Sequence, residues 1–411
     1  MTVQVFDLIV VGGGAAGFFG ALRVADLRPD FKILLIESGR ELLGKVKISG
    51  GGRCNVTHNL FDTRQFSGRY PRGHKELLGV FSRFQARDTI RWFEERGVKI
   101  KAEPDGRMFP VSNDSASIIH CFQEEARLKR VQIETGKLVN SIQKIEGIFN
   151  LEISDTLLLA RNVLWATGGN RNAWSILEKV GHKIVAPVPS LFSFKLKDHP
   201  LAGLEGLSLQ TAGLHLSFAD GSKLEDQGPL LVTHWGVSGP AVLRASAWGA
   251  RAFASNEYQA ELKISVLADH KPSDWVKIFQ KNREQNPRRT IYQDSPQSIP
   301  SRLWERFCQF AEIPLERIWA EFKREESERL SRCLSGYKLQ ISGRGVFKDE
   351  FVTAGGVDLK EVDFTSMQSK VCDDLYFAGE VINVDGVTGG FNFQNAWSTS
   401  WIAGTAIATL K

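Results

Sequence analysis

Gly12, Gly14 and Gly17 stand in GGGAAGFFG at the spacing GxGxxG, and Glu37 follows the last of them by twenty positions. Those residue types at that spacing suit the gripping of a dinucleotide. The first glycine permits a tight turn, the second lets backbone approach a pyrophosphate, and the third lets a helix pack on a strand; Ala15 and Ala16 lie inside the same turn. The phosphates then rest on the helix N-terminus, where free N–H groups and the dipole favour an anion. Glu37, with Ser38 beside it, is placed to accept hydrogen bonds from adenosine ribose hydroxyls, and its charge disfavours a 2′-phosphate. A second cluster, KISGGGRCNVTH, brings Lys47, Ser49, Gly50, Gly51, Arg53, Cys54, Asn55 and His58 together. By residue type alone it suits a nucleotide-binding turn, a redox thiol or half of a metal site.

The glycines need a strand before them and a helix after. Leu8 to Val11 is apolar and rich in β-branched residues, and Phe18, Phe19, Leu22 and Val24 follow at near-helical spacing, so the order is strand, turn, helix. Ile33 to Ile36 is a second buried strand that ends at Glu37. The alternation from Val131 to Ser154, which includes Val139, reads as a β-meander, and RNVLWATGG runs from it into Thr167, Gly168 and Gly169. GxGxxG does not separate NAD from FAD, whereas the carboxy-terminal return points to FAD. Leu375 to Ala378 is a short buried strand ended by Gly379 and Glu380; Asp385, Gly386, Gly389, Gly390, Phe391 and Asn392 then lead into a run of small and aromatic residues suited to a packed helix. FAD-binding proteins commonly close their site with such a strand and a Gly-Asp or Gly-Glu. The carboxylate serves ribityl hydroxyls, and the helix N-terminus stabilises charge on the reduced ring.

Taken in order, GGGAAG, ISGGGRCNVTH, ATGG, THWGVSGPAVL, FVTAGGV and LYFAGEVINVDGVTGGFN resemble the BaiN-like, or aminoacetone-oxidase-like, family of FAD-dependent oxidoreductases. The resemblance runs from residue 7 to residue 404. It implies an α/β fold of the two-dinucleotide-binding flavoprotein type: a split Rossmann-like FAD-binding domain (1–190 plus 340–411), an inserted antiparallel β-barrel-like domain (191–262 plus about 330–340) and a helical insertion (263–330). FVTAGGVDL is also similar to the Thr-x-Gly-Gly segment of fumarate-reductase-like flavoproteins, where Gly355 and Gly356 would leave backbone free to approach the isoalloxazine.

Sequence pattern independently places insertions between about 190 and 340. FSFKLKD, LSLQ and LHLSF alternate like antiparallel strands, and Ser273 to Cys333 changes to charged helical segments punctuated by prolines. THWGVSGPAVL holds His234 and Ser238 without the strand-nucleophile-helix setting of a hydrolase, so it reads as a turn into a helix that starts at Pro240. The basic stretch NREQNPRR, Asn282 to Arg289, reads as a solvated loop. His234, Tyr337 and Arg344 are the candidate proton donors or substrate contacts, and none is fixed by spacing to a second group.

The chain has 411 residues, 42% hydrophobic and 24% charged, with a net charge of +5, which is soluble globular composition with a mild basic excess. Its five scattered cysteines contain no CxxC, so a dithiol reductase is disfavoured and a reducing cytoplasm is expected. The apolar start is interrupted by Asp7 and five glycines, and no membrane partner is expected. Cys54 with His58 lacks a third ligand, so no metal is expected, and nothing around His58 or His74 supports covalent flavin. The expected activity is FAD-dependent oxidation or reduction of a small organic substrate on the exposed ring face, with NAD(P)H as a candidate donor and no nucleic acid partner. A flavin-containing RNA-modifying protein and a non-enzymatic flavin sensor are the rival readings. GGGRCNVTH becomes the second wall of the FAD site, with Lys47 or Arg53 supplying positive charge and Cys54 packing.

Overall fold

The computed structural model describes residues 4–153, 156–296, 299–345 and 352–409. The chain divides into two compact units, Met1–Pro187 with Val352–Lys411, and Val188–Phe351.

In the first unit, β1 (Val5–Val11) runs through the glycine turn into α1 (Ala15–Leu27), and β2 (Ile33–Glu37) follows. β1 pairs in parallel with β2, Leu8 opposite Ile33 and Val11 opposite Ile36, and on its other side with Thr156–Trp165, Val11 opposite Trp165. Gln132–Thr135 lies beyond β2, and Leu375–Phe377 lies beyond Thr156–Trp165, both parallel. The central strands read as continuous apolar runs because layers cover both faces. The meander of Val139–Ile145 and Ile148–Ile153 hangs antiparallel from Thr156–Trp165.

The carboxy-terminal helix Phe391–Thr409 crosses α1 closely: a Cβ on Gly404 would stand 3.0 Å from the Gly20 carbonyl oxygen. Phe19, Trp92, Phe122 and Trp397 fill the space beside this crossing with ring centroids 4.7 to 6.4 Å apart. α2 (Gly44–Gly52), β3 (Thr57–His58), α3 (Thr63–Ser67), α4 (Glu76–Phe81) and α5 (Ala86–Glu94) come next in the chain after β2. A buried polar chain ties them to the last helix: Thr57 and Thr89 donate to Gln394 Oε1 at 2.6 and 2.9 Å, Gln394 Nε2 donates to Ser398, and Ser398 donates to the Phe84 carbonyl. Every member of that chain has a partner, which makes burial of these groups tolerable.

The second unit is a closed six-stranded antiparallel barrel in the order Phe194–Leu196, Gly236–Ser238, Lys223–Thr233, Ser208–Ser217, Ala260–Ser265, Tyr337–Arg344. The helices Pro272–Gln285, Ser301–Phe310 and Arg324–Gly336 are inserted between the last two strands. Leu303, Trp304 and Phe307 of these helices share one apolar core with Leu209, Leu230 and Ile264 of the barrel, where the apolar stripes of the helices are buried.

Candidate functional site

The glycine turn separates close packing from open space. Gly12 has φ +114°, and a Cβ there would stand 2.5 Å from the Ala166 carbonyl oxygen; one on Gly17 would stand 1.9 Å from the Gly12 oxygen. Around a Cβ built on Gly14 nothing lies within 4 Å. Gly12 and Gly17 are therefore required by the fold, while Gly14 borders the cradle where a pyrophosphate approaches. No side chain caps α1, so its first N–H groups are left for an anion. Glu37 Oε2 accepts from Gly13 N at 2.7 Å, and Oε1 accepts from Gly39 N at 2.7 Å and Ser38 Oγ at 3.0 Å, which fixes the carboxylate at the turn.

A cleft continues from the turn, lined in part by Glu37, Ser38, Val139, Trp165, Thr167 and Asn170. Trp165 Nε1 and Thr167 Oγ1 are buried there without a hydrogen-bond partner among the described residues. Unpaired buried donors cost about 1–3 kcal/mol each, and a polar planar ligand such as an adenosine would satisfy them. These residues fit the adenosine and pyrophosphate of FAD. When bound, FAD supplies the two-electron chemistry, and the chain binds, orients and tunes it.

α2 follows Leu43, its cap residue in a left-handed conformation, and breaks at Ser49, where ψ is 150°; Gly50 and Gly51 follow at φ 57° and 70°. Ser49 Oγ donates to the Val46 carbonyl, and Asn55 Oδ1 accepts from Met108 N at 3.2 Å. The cation that this segment brings to the late motif is Lys45, whose ammonium stands 2.7 Å from Glu380 Oε2, while Thr353 N donates to Glu380 Oε1 at 2.9 Å. Lys47 and Arg53, the two residues expected to supply positive charge near the pyrophosphate or the flavin's polar edge, pair with acids of the chain: Lys47 with Glu41, and Arg53 with Glu103 at 2.6 Å while it lies over Phe109.

Cys54 is fully buried at φ +60°, and burial pushes its thiol up to about 12, a hydrogen bond with Ser49 opposing the shift. The thiol is a packing group with almost no thiolate at neutral pH. Native protein treated with excess iodoacetamide at about pH 8 is expected to leave Cys54 unmodified, and urea-unfolded protein to modify it fully, as peptide masses report. Modification of the native protein at a free-thiol rate would contradict this.

The glycine loop of residues 385–390 is strapped down by Arg69 to Arg72. Both oxygens of Asp385 accept from the Arg72 guanidinium, Arg69 O accepts from Val387 N at 2.9 Å, and Tyr70 Oη donates to Phe391 O at 2.6 Å. Asn392 and Gly386 exchange two hydrogen bonds, at 2.8 and 2.9 Å. His58 stacks on Phe391 with centroids 4.8 Å apart, and its Nδ1 lies 3.0 Å from the Gly389 carbonyl oxygen. Desolvation lowers the His58 pKa below its ordinary value, with the Gly389 hydrogen bond opposing, so a neutral ring donating from Nδ1 to the carbonyl is the favoured state. Gly390 presses on Thr57 and Asn55, where a Cβ would stand 2.5 Å from the Thr57 oxygen.

On the far side, Gly379 N donates to Thr399 Oγ1, and Gly168 lies beside Glu380. Gly169 abuts Thr353. Cβ atoms on Gly355 and Gly356 would stand 2.7 and 2.3 Å from the backbone at Pro187 and Val381, so neighbouring backbone excludes a side chain at both positions.

In the barrel unit, His234 is exposed, Tyr337 stacks on Phe310 at 4.2 Å, Arg344 lies over Tyr258 at 4.6 Å, and Ser238 accepts from Ser193. Sequence reasoning missed Lys45, Trp165, Asn170, Tyr70 and Arg72. For Lys45 the signal was available, as the first turn of a helix starting after Leu43; Trp165 stands inside RNVLWATGG and Asn170 directly after it, while Tyr70 and Arg72 belong to no motif.

Comparison with known proteins supports the same assignment. The chain matches the HI0933-like protein Rossmann domain over residues 6–406. It is 27% identical over 407 residues to a 3-dehydro-bile acid delta(4,6)-reductase of Clostridium scindens, covering 97% of this chain and 98% of that protein. It is 28% identical over 416 residues to a ribosomal RNA dihydrouridine synthase of Escherichia coli, covering 99% of each. Among solved structures, a 3-ketosteroid delta1-dehydrogenase from Sterolibacterium denitrificans shares the fold, with a TM-score of 0.52 at 12% identity over the full length of both chains. Among the described residues no helix is long and apolar enough to cross a membrane. With a glycine turn, ribose carboxylate and adenosine cleft that fit FAD, and a family match across nearly its whole length, the chain belongs to the HI0933-like Rossmann family of FAD-dependent oxidoreductases.

Proposed function

We propose that the enzyme reduces a carbon–carbon double bond conjugated with a carbonyl, taking its electrons from NAD(P)H in a reducing cytoplasm. The observation that carries this reading is a shared reaction. Two relatives aligned over nearly the whole chain carry names that denote substrates as different as a bile acid and a ribosomal RNA. A delta(4,6)-reductase acting on a 3-dehydro compound saturates a double bond conjugated with the 3-carbonyl. A dihydrouridine synthase saturates C5=C6 of uracil, conjugated with its C4 carbonyl. Both reactions add hydride to an electron-poor carbon of the conjugated system, β to the carbonyl or, across a dienone, δ to it, and a proton to the adjacent carbon. Bound FAD would supply the hydride, and the task of the chain's residues would be to hold the alkene in place and polarise the carbonyl.

Within the FAD unit, the elements suited to that task are the N-terminus of the helix Phe391–Thr409 with the peptide of Gly389 and Gly390, held by His58 and Tyr70. The positive end of the helix favours charge on a reduced ring. The test is anaerobic. NADH or NADPH is expected to bleach the flavin absorbance of the holoenzyme. Mixing the reduced enzyme with a 4-en-3-one steroid, or with uracil in RNA, is expected to restore the colour, with a product about 2 Da heavier. Reduced enzyme that oxygen reoxidises but neither electron-poor alkene does would overturn the reading.

A further inference from the structure

His58 and the residue before it face the two glycines that end the loop of residues 385–390. A Cβ on Gly390 would stand 2.5 Å from the Thr57 carbonyl oxygen, and one on Gly389 would stand 3.3 Å from His58 Nδ1. β3, which carries both residues, is fixed from elsewhere. Thr57 pairs with Met108 and His58 with Arg107 of the strand Arg107–Pro110, and Trp397 Nε1 donates to the Val56 carbonyl at 2.9 Å. Stacking on Phe391 at an interplanar angle of 26° sets the plane of the imidazole. His58 Nδ1 therefore meets the Gly389 carbonyl oxygen, at 3.0 Å, as a group held in place.

That carbonyl shares its peptide with the N–H of Gly390. The two glycines stand at φ +127° and +92°, and glycine takes either sign of φ at little cost, so backbone sterics alone leave this peptide free to turn over. The ties at Arg69, Tyr70, Arg72 and Asn392 each hold another atom of the loop or of the residue after it. The bond from His58 thus selects one orientation. In a trans peptide the carbonyl and the N–H point opposite ways, so the Gly390 N–H is turned away from His58. Neither it nor the N–H groups of Phe391, Asn392 and Phe393 has an acceptor among the described residues. A hydrogen bond on the carbonyl also polarises the peptide and makes its N–H the stronger donor.

We propose that His58 is a positioning residue: by holding the Gly389 carbonyl it turns the Gly390 N–H towards the reacting ring of FAD, and so favours reduction of the bound flavin. A donor aimed in advance at developing negative charge costs no reorganisation when the charge arrives. The proposal rests on the placing of this glycine peptide at the ring in the reductase reading, and it is independent of which alkene is reduced. The test reads the flavin without any substrate.

Holoenzyme and variants are reduced anaerobically beside a dye of known potential. Arg69, Arg107 and Asp105 also act on the imidazole, and burial lowers its pKa, so the comparison is made at about pH 8, where the ring is neutral. His58→Leu loses the donor and is expected to shift the oxidised-to-reduced ratio of the flavin at least about tenfold towards oxidised, which is about 30 mV for two electrons. His58→Met, a second donor-free variant, is expected to shift it the same way. His58→Asn has nearly the shape of the Leu variant and places an amide nitrogen where Nδ1 stands; it is expected to return the ratio to within about threefold of wild type, a difference of about 15 mV. His120→Gln, on the exposed face of the helix Ala116–Leu128, is expected to leave it unchanged.

An unmoved ratio in a donor-free variant that keeps its flavin would overturn the proposal, as would an equal shift in His58→Asn or in His120→Gln. Loss of flavin from both donor-free variants would also overturn it, assigning His58 to binding of the cofactor and not to its tuning. A shifted ratio in an enzyme that reduces neither uracil nor enone leaves the role of His58 standing and removes the reductase reading. Reduction of the enone with an unmoved ratio in His58→Leu does the reverse.

Discussion

Glu37→Arg is expected to purify without its flavin: its absorbance at 450 nm should fall to less than about a tenth of the wild-type value relative to 280 nm, and added FAD should no longer quench tryptophan fluorescence in the micromolar range. The carboxylate ends β2 and is held at the turn by Gly13 N, Gly39 N and Ser38 Oγ. Hydrogen bonds to a charged acceptor contribute about 1.5–3 kcal/mol each, so losing two to the ribose weakens FAD by roughly 10²- to 10⁴-fold. The new guanidinium also meets the positive end of α1. Glu37→Gln keeps the shape and loses the charge, and is expected to fall between the two. Circular dichroism distinguishes this from unfolding, because the sheet beneath Glu37 is held by apolar strands buried on both faces. Flavin content unchanged in Glu37→Arg would remove the ribose role.

That role was legible because everything it needs is local. Strand, turn, helix and acid occupy about thirty residues, and each has a period or a backbone requirement that shows in the sequence. The antiparallel strands of the barrel were legible for the same reason. Legibility failed where the partner is distant. Arg72 and Asp385 are 313 residues apart, and RYPR carries no periodic pattern, so nothing local marks it as the strap over the glycine loop. Gln394 carries no local mark either, yet it is the node of the buried polar chain joining Thr57, Thr89 and Ser398. The helix Gly44–Gly52 that carries Lys45 to Glu380 is broken at Ser49 and rich in glycine, so no helical period marks it in the sequence. At Gly355 and Gly356 the sequence shows that a side chain is missing but not that the backbone of Pro187 and Val381 packs against them.

The strap carries the second large effect. Asp385 is completely buried, and the side chain of Arg72 is 14% exposed, so the pair is an ion pair inside the protein with both carboxylate oxygens accepting from one guanidinium. Replacing both partners of such a pair by apolar groups is often neutral, whereas removing one strands the other and costs about 3–5 kcal/mol. Against a total stability of about 5–15 kcal/mol this is large. Arg72→Met is therefore expected to lower the Tm by on the order of 10 °C, and the Arg72→Met/Asp385→Leu double variant to recover most of that. Flavin content separates two roles for Asp385. If its carboxylate only anchors the loop through Arg72, the double variant regains FAD together with its Tm. If the carboxylate also contacts the cofactor, the double variant regains stability and stays pale. The geometry favours the anchor, since both oxygens already face Arg72 and the loop has independent ties at Arg69, Tyr70 and Asn392. A single Arg72→Met variant as stable as the wild type would show that the pair is not an anchor at all.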